Sequence, residues 1–348
     1  MSDAILIVGG YGAVGSMIAS TLVPHFEEQL IIAGRNGGRA AKLAADLGPG
    51  VHWRLLDVTK PIDYDAALLG VRYVVMCLDL PDIEFVRQCF QRGIHYVDIS
   101  AEYPILSAIA GLDATAKQQG ATAVLSVGLV PGLSNLMARY SLRFVNPINH
   151  FNSAILAGLG EKHGVAGSSW VLNHFSDGVG RRTFQFLEPY HQKTTHRFAF
   201  SDQYTLPQTL PILEASTWLG FDSFLMSYLI GLARLPILRS LFKQDTTKQF
   251  LLNTTQRWQF GSDEYVLTTH ARGATGSYQA WLRGKREVEV TALVAAEVLR
   301  RLMMETFPAG VFHIEQLFQL EDFLPLLEQH GVTFVDSEMD STDKSTHR

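Results

Sequence analysis

Five apolar residues, AILIV at positions 4–8, run almost directly into Gly10-Tyr11-Gly12-Ala13-Val14-Gly15. No other stretch of the 348-residue sequence restricts the fold as much. The spacing is G-x-G-x-x-G, and it sits between a strand-like run and a helix-like one. That is the setting in which a βαβ unit binds a dinucleotide. The first glycine permits the tight turn, the second lets backbone approach a pyrophosphate, and the third lets the helix lie close on the strand. The helix end then offers free N–H groups and the positive pole of its dipole to the phosphates. This reading places Gly10, Tyr11, Gly12, Ala13, Val14 and Gly15 at the cofactor.

The same rhythm continues to about residue 130. A helix over 13–22 is expected to stop near Pro24. QLIIA (29–33) reads as a second strand, followed by a helix over about 38–47. VHWRLLDV (51–58), RYVVMCL (72–78) and HYVDIS (95–100) read as the next three strands. A helix near 107–119 leads to a sixth, ATAVLSV (121–127). Apolar strands alternating with amphipathic helices specify a parallel sheet with helices on both faces. The rhythm breaks at GLVPGLSN (128–135), after which a helix over 134–144 is expected. Longer strand-like runs follow at 150–159, 195–201 and 264–273, then an amphipathic helix over 288–304. The expected fold is α/β, a Rossmann doubly wound parallel sheet with a second α+β domain built on a mixed sheet. The expected boundaries are 1–130 for the nucleotide-binding domain and 131–285 for a substrate and dimerisation domain. Residues 286–335 are expected to pack back on the first domain, and 336–348 to form a disordered polar tail.

A net charge of −5 leaves no basic footprint for nucleic acid. Two cysteines, Cys77 and Cys89, cannot build a disulfide framework, so a reducing, cytoplasmic setting is the default. The first apolar run is too short for a signal sequence or a membrane span. The twelve histidines show no metal-binding cluster. Residues 218–242 are unusually apolar but are interrupted by Asp222, Arg234 and Pro236, which excludes a transmembrane span. Three readings fit that segment: a buried core or dimer helix, the wall of a greasy pocket, or a peripheral contact with a membrane surface.

An NAD site usually carries Asp or Glu at the end of its second strand, for the ribose 2′-hydroxyl. Here Gly34, Arg35 and Asn36 occupy that place, and Glu27 and Glu28 come before the strand. Arg35 can stack on adenine and pair with a 2′-phosphate, with Arg39 nearby, so NADP is expected over NAD. Asp57 and Val58 end the third strand on the adenine side, where Asp57 either caps the pocket or starts a turn. Cys77 and Leu78 end the fourth, on the nicotinamide side. Cys77 reads as a small buried apolar residue rather than a nucleophile.

Several segments in order resemble the saccharopine dehydrogenase family: GGYGAVG (9–15), GIHYVDISAE (93–102) and GLVPGLSNLMAR (128–139). FPAGVFHIEQL (307–317) and FLPLLEQHGVTF (323–334) are similar to its C-terminal pattern. The resemblance implies a nucleotide-binding domain, an inserted α+β substrate domain and a homodimer. It also implies reversible reduction of a C=N bond, formed from an amine and a carbonyl compound, with NAD(P)H as hydride donor. The family includes reductases of lipid-linked double bonds as well.

Asp98 and Glu102 match the family's Asp and Glu positions just past the fifth strand. A carboxylate there could steady an iminium cation or relay its proton; Asp98 equally fits a cap on a backbone amide. Gly128, Pro131 and Gly132 are expected to floor the nicotinamide. In the second domain the expected substrate contacts are Arg272, by bidentate pairing with a carboxylate, together with Trp170 and Tyr278. His174 is a candidate acid or base. Two other readings stay open: an NADPH-dependent enoyl (C=C) reductase of a hydrophobic or carrier-bound substrate, and a non-catalytic NAD(P)-binding sensor.

Overall fold

The computed structural model describes residues 3–160, 180–222 and 260–337. It divides into two compact units, Met1–Leu133 with Val288–Phe318, and Ser134–Glu287 with Gln319–Arg348. In the first unit the strands are β1 (Ala4–Val8), β2 (Leu30–Gly34), β3 (His52–Leu55), β4 (Val71–Met76), β5 (His95–Asp98) and β6 (Thr122–Leu125). The second unit contributes β7 (Ile148–Leu159), β8 (Arg181–Gln185), β9 (Gln192–Arg197), β10 (Ile212–Phe221), β11 (Phe260–Gly273) and β12 (Gly276–Lys285). β13 (Gly310–His313) returns to the first unit and β14 (Thr333–Asp336) to the second.

The first sheet has the order β13-β6-β5-β4-β1-β2-β3, and every pairing in it is parallel. β1 and β2 are buried along their whole length, as strands covered by helices on both faces must be. The helices are α1 (Ala13–Phe26), α2 (Gly37–Leu47), α3 (Tyr64–Leu68), α4 (Glu84–Gln91), α5 (Tyr103–Ala110) and α6 (Asp113–Gln119). β1 has β2 on one side and β4 on the other, so the strand order reverses there. Such a reversal opens a crevice at the carboxyl ends of the strands, where ligands of this fold class bind.

Local boundaries differ from the sequence expectation in three places. α1 runs through Pro24 to Phe26. Ser20 and Pro24 are both exposed, so water can take the Ser20 carbonyl that proline leaves without a donor. The helix expected over 107–119 is two helices, α5 and α6, parted at Gly111 and Leu112, and the first has a proline in its opening turn. The helix after the break, α7 (Ser134–Ser141), stops earlier than expected. Residues 142–144 continue it only as tight turns, each N–H reaching back three residues. The segment 286–335 also divides. The helix Glu287–Met304 and β13 belong with the first unit from Val288 onward, whereas the chain from Gln319 belongs with the second, where β14 pairs antiparallel with β12.

The second sheet, β14-β12-β11-β7-β10-β9-β8, is mixed: β7 and β10 are parallel and the other pairs antiparallel. Its two faces differ. On one, the hydroxyls of Ser153 and Thr217 donate to buried Asp202, at 3.1 and 2.6 Å, on the helix Asp202–Thr209. The other carries an apolar cluster, Ala154, Leu156, Phe184, Phe186, Val266 and Trp281. Among the described residues no helix is long and apolar enough to cross a membrane. Of the apolar segment 218–242, residues 223–242 lie outside the described residues.

Candidate cofactor cleft

At the carboxyl end of β1 the chain turns at Gly9, with φ of +76°. The N–H groups of Gly9 and Gly10 both donate to the Ala33 carbonyl on β2, at 2.9 and 3.2 Å. Gly12 N–H then closes on Gly9 O at 2.8 Å. A Cβ at Gly10 would lie 2.8 Å from Ile7 O. One at Gly15 would lie 2.6 Å from Gly9 O and 2.8 Å from Gly10 Cα, so α1 sits too close to the turn for any side chain there. Gly12 is different, because a Cβ would meet only Gly9 O, at 3.1 Å, and otherwise open space. α1 has neither a side-chain cap nor an acidic residue in its first turn, which leaves N–H groups directed at that space. Ala13 and Val14 are half-buried at its edge. The cradle therefore fits a pyrophosphate.

Tyr11 projects from this loop to the end of β2. Its ring fills the place a Cβ on Gly34 would take, 2.5 Å from Tyr11 Cε1. Its hydroxyl accepts the Asn36 N–H at 3.1 Å, and the Arg39 guanidinium lies 4.6 Å over its ring. Asn36 Oδ1 accepts the Arg39 N–H at 3.0 Å and so caps α2. Arg35 stands exposed beside this cluster, with no ion pair among the described residues. Asp57 turns its carboxylate back on its own loop: Oδ1 accepts the Thr59 hydroxyl at 2.8 Å and the Thr59 N–H at 3.1 Å. These bonds hold its carboxyl below the usual range. Val58 is buried beneath the turn.

On the opposite side Leu78 packs on Gly9, where a Cβ would come within 2.7 Å of Leu78 Cδ2. Cys77 N–H donates to Val8 O at 3.0 Å. Burial, with Asp98 nearby, pushes the Cys77 thiol far up, so it is a neutral, apolar group. Asp98 is fully buried at the end of β5. Its Oδ2 accepts the Tyr96 hydroxyl and its Oδ1 the Ser100 N–H, both at 2.7 Å. Burial nevertheless raises its pKa to about 6. Ser100 Oγ accepts the Glu102 N–H at 3.1 Å. Asp98 thus engages one oxygen with Tyr96 of its own strand and the other with the loop that follows, and half-buried Glu102, at the start of α5, is the more exposed carboxylate.

Gly128, Pro131 and Gly132 are buried, and Val130 is the half-exposed member of that loop. Gly128 and Gly132 have φ of +157° and +135°, conformations that glycine adopts at low cost. Leu129 N–H donates to Thr291 Oγ1 at 3.3 Å, which ties the loop to the helix Glu287–Met304. Ser126 and His313 form a second anchor, which the sequence does not signal as a pair. Ser126 directly follows β6 and His313 ends the adjacent β13, and Ser126 Oγ lies 2.8 Å from His313 Nδ1. His313 also caps the helix Ile314–Leu317, and its N–H donates to Gln316 Oε1 at 2.8 Å. The H-x-x-Q spacing resembles a capping box and was the available signal for that cap. Burial lowers the His313 pKa to about 4, so the ring is neutral.

Of the residues expected in the second unit, Trp170 and His174 lie outside the described residues. Tyr278 is a core residue: it is 3% exposed, stacks on Phe144 at 4.1 Å, and donates its hydroxyl to Asp336 at 2.8 Å. Arg272 is exposed near the end of β11.

Residues 5–124 match the family model described as the saccharopine dehydrogenase NADP binding domain. Among solved structures, apo saccharopine dehydrogenase (L-Glu forming) from Saccharomyces cerevisiae aligns over 96% of this chain and 100% of its own. Its TM-score is 0.64 at 14% identity, so the two share a fold. A probable dehydrogenase from Thermotoga maritima aligns over 96% of this chain and 99% of its own, with TM-score 0.45 and 10% identity. Biliverdin reductase from Synechocystis sp. PCC 6803, in complex with biliverdin and NADP+, covers 93% and 96%, with TM-score 0.41 and 13% identity. No curated protein matches the sequence. The parallel sheet and its glycine cradle, with the domain match, define an NAD(P)-dependent oxidoreductase of the Rossmann class. Within that class its residues 5–124 are similar to the NADP-binding domain of saccharopine dehydrogenases.

Proposed function

We propose that the protein is an NADP-dependent oxidoreductase acting on a C=N bond formed between an amine or amino acid and a carbonyl compound, in either direction. The observation that carries the cofactor preference is the end of β2. Tyr11, Gly34, Asn36 and Arg39 build a cationic shelf there, with Arg35 exposed beside it and no carboxylate from Gly34 to Arg39. Such a shelf suits a 2′-phosphate and lacks the carboxylate that holds the ribose hydroxyls in NAD sites.

When bound, the nicotinamide supplies or accepts the hydride. The chain's own residues hold and shield it. The first turn of α1 takes the pyrophosphate, and Leu78 gives the rim an apolar surface over Gly9. Asp98 acts as a positioning residue, because its two hydrogen bonds fix the 98–102 loop from inside. Glu102 is then the carboxylate suited to steady an iminium cation or carry its proton. The C=N assignment draws on the family resemblance and on this carboxylate. The free cysteines, Cys77 and Cys89, support a reducing compartment, and the homodimer follows from the resemblance alone.

NADPH oxidation measured across amine–carbonyl pairs tests the reading. Glu102→Gln should lower kcat by about 10²-fold or more while leaving the NADPH Kd within twofold. Turnover of enoyl substrates in place of imines would instead favour C=C reduction. Tight NADPH binding with no turnover of either class would make the protein a sensor.

A further inference from the structure

The second unit contains a cavity of about 670 Å³ on the sheet face that carries Asn152, Ser216 and His270. Strand register assembles it. His270 pairs with Asn152 and Arg272 with His150 across β7 and β11. Ser216 pairs with Asn152 across β10, and Arg197 pairs with Trp218 across β9. Side chains directly opposite one another share a face, so Arg272, Arg197 and the nearby Arg182 line one space.

The charges there are unbalanced. Among the described lining residues Glu214 is the only carboxylate, and it lies 3.1 Å from His150. Arg182 is held by neutral groups: Nη1 donates to Asn152 Oδ1 at 2.8 Å, and the guanidinium sits 5.2 Å over the Phe184 ring. Ser216 Oγ donates to the same Asn152 oxygen at 2.9 Å, which fixes the carboxamide that orients Arg182. Arg197 donates to the Gln203 carboxamide at 3.4 Å. Arg272 is exposed and forms no ion pair among the described residues. His270 registers the resulting field: after burial, Arg272 and Arg182 are what lower its pKa. The chain has 34 acidic residues to 29 basic ones, so Arg182 on neutral partners beside Arg272 with no ion pair among the described residues is not a consequence of composition. Guanidinium groups pair with the oxygens of carboxylate and phosphate in a two-point geometry.

We infer that this cavity binds a small oxygen dianion able to pair with two guanidinium groups, a phosphate or a dicarboxylate. The site lies within the second unit, and it stands whether or not the hydride acceptor is a C=N bond.

Calorimetric titration of the full-length protein tests it, at low ionic strength because such pairing is screened by salt. The probes are inorganic phosphate, succinate, and acetate as a single-carboxylate control. Saturable binding of phosphate or succinate, at least about tenfold tighter than acetate, is expected. Binding of one and not the other identifies the source of the anionic oxygens. Arg182→Gln and Arg272→Gln should each weaken binding about tenfold or more, with Arg272→Lys in between. Unchanged NADPH affinity in these variants shows that they fold. NMR titration of His270 should show its pKa rising when the anion is bound. The inference fails if neither anion saturates, if binding survives both glutamine variants, or if sedimentation shows a dimer that Arg272→Gln dissociates, which would mean that a second copy covers the face.

Discussion

Two glycines three chain positions apart carry different burdens. Gly15 is required by packing, with backbone atoms at 2.6 and 2.8 Å from a would-be Cβ. Packing does not require Gly12, since little but open space surrounds it; on the proposed reading that space belongs to the pyrophosphate. Gly15→Ala should therefore destabilise the protein by about 1–3 kcal/mol. Gly12→Ala should leave the unfolding midpoint nearly unchanged and weaken NADPH binding. Urea unfolding and cofactor titration of both variants check the contrast. Such constraints are legible in sequence because the motif encodes backbone geometry directly. Asp98 was legible only as a choice between catalysis and capping, since the direction of its carboxylate depends on Tyr96 and Ser100 folding around it. The Ser126–His313 contact was not legible at all, because 187 positions separate its partners.

Asp98 and His313 also set opposite pH dependences. His313 has a folded pKa of about 4 against 6.5 for the free group, so its contribution is complete above pH 6.5 and falls as pH drops toward 4. Asp98 has a folded pKa of about 6 against 3.8, so its contribution is complete below pH 3.8 and is lost as pH rises through 6. Each is worth up to about 3 kcal/mol. His313→Asn should flatten the acid side of the stability profile. Asp98→Asn, a mimic of the neutral acid, should flatten the other side and be no less stable than the parent at pH 8. Denaturant unfolding at several pH values separates the two; a parallel shift of both variants at every pH would contradict this assignment.

Among the elements, β1, β2, β4 and β6 were readable because strands buried on both faces are short, mainly apolar runs between turn signals, whereas β3 is a largely exposed edge strand whose place was read from the alternation around it. β13 escaped for the converse reason. It is four residues long with only its two ends buried, too brief to show a period. Its place is set by long-range pairing with β6, from Gly310 opposite Thr122 to His313 opposite Leu125. Helix ends were less readable than helices, and Pro24 shows why: where the carbonyl a proline abandons is exposed to water, the helix can run on through the last turn. Truncation before Gly310 would expose the edge of β6, and exposed edges invite pairing with other chains. Such a protein should aggregate at concentrations where the full chain stays monodisperse, as measured by light scattering.

For the molecule as a whole, the chain crosses between its two units more than once, so neither is a continuous stretch of sequence. That arrangement was only partly legible. The break at 128–135 marks the first crossing, but the return of 288–318 and the departure at Gln319 depend on which sheet each short strand joins. The parallel sheet and its glycine turn were the most readable part, because their marks follow one another along the first 130 residues. The cationic cavity of the second unit was the least readable: Arg182, Arg197 and Arg272 meet only through the register of a mixed sheet.

Whether the end of β2 selects NADPH is decided by fluorescence titration of the parent protein and Arg35→Ala with NADPH and NADH. NADPH should bind the parent more tightly than NADH does, with the preference reduced about tenfold or more in the variant. A preference for NADH, or a preference for NADPH that Arg35→Ala leaves intact, would contradict it.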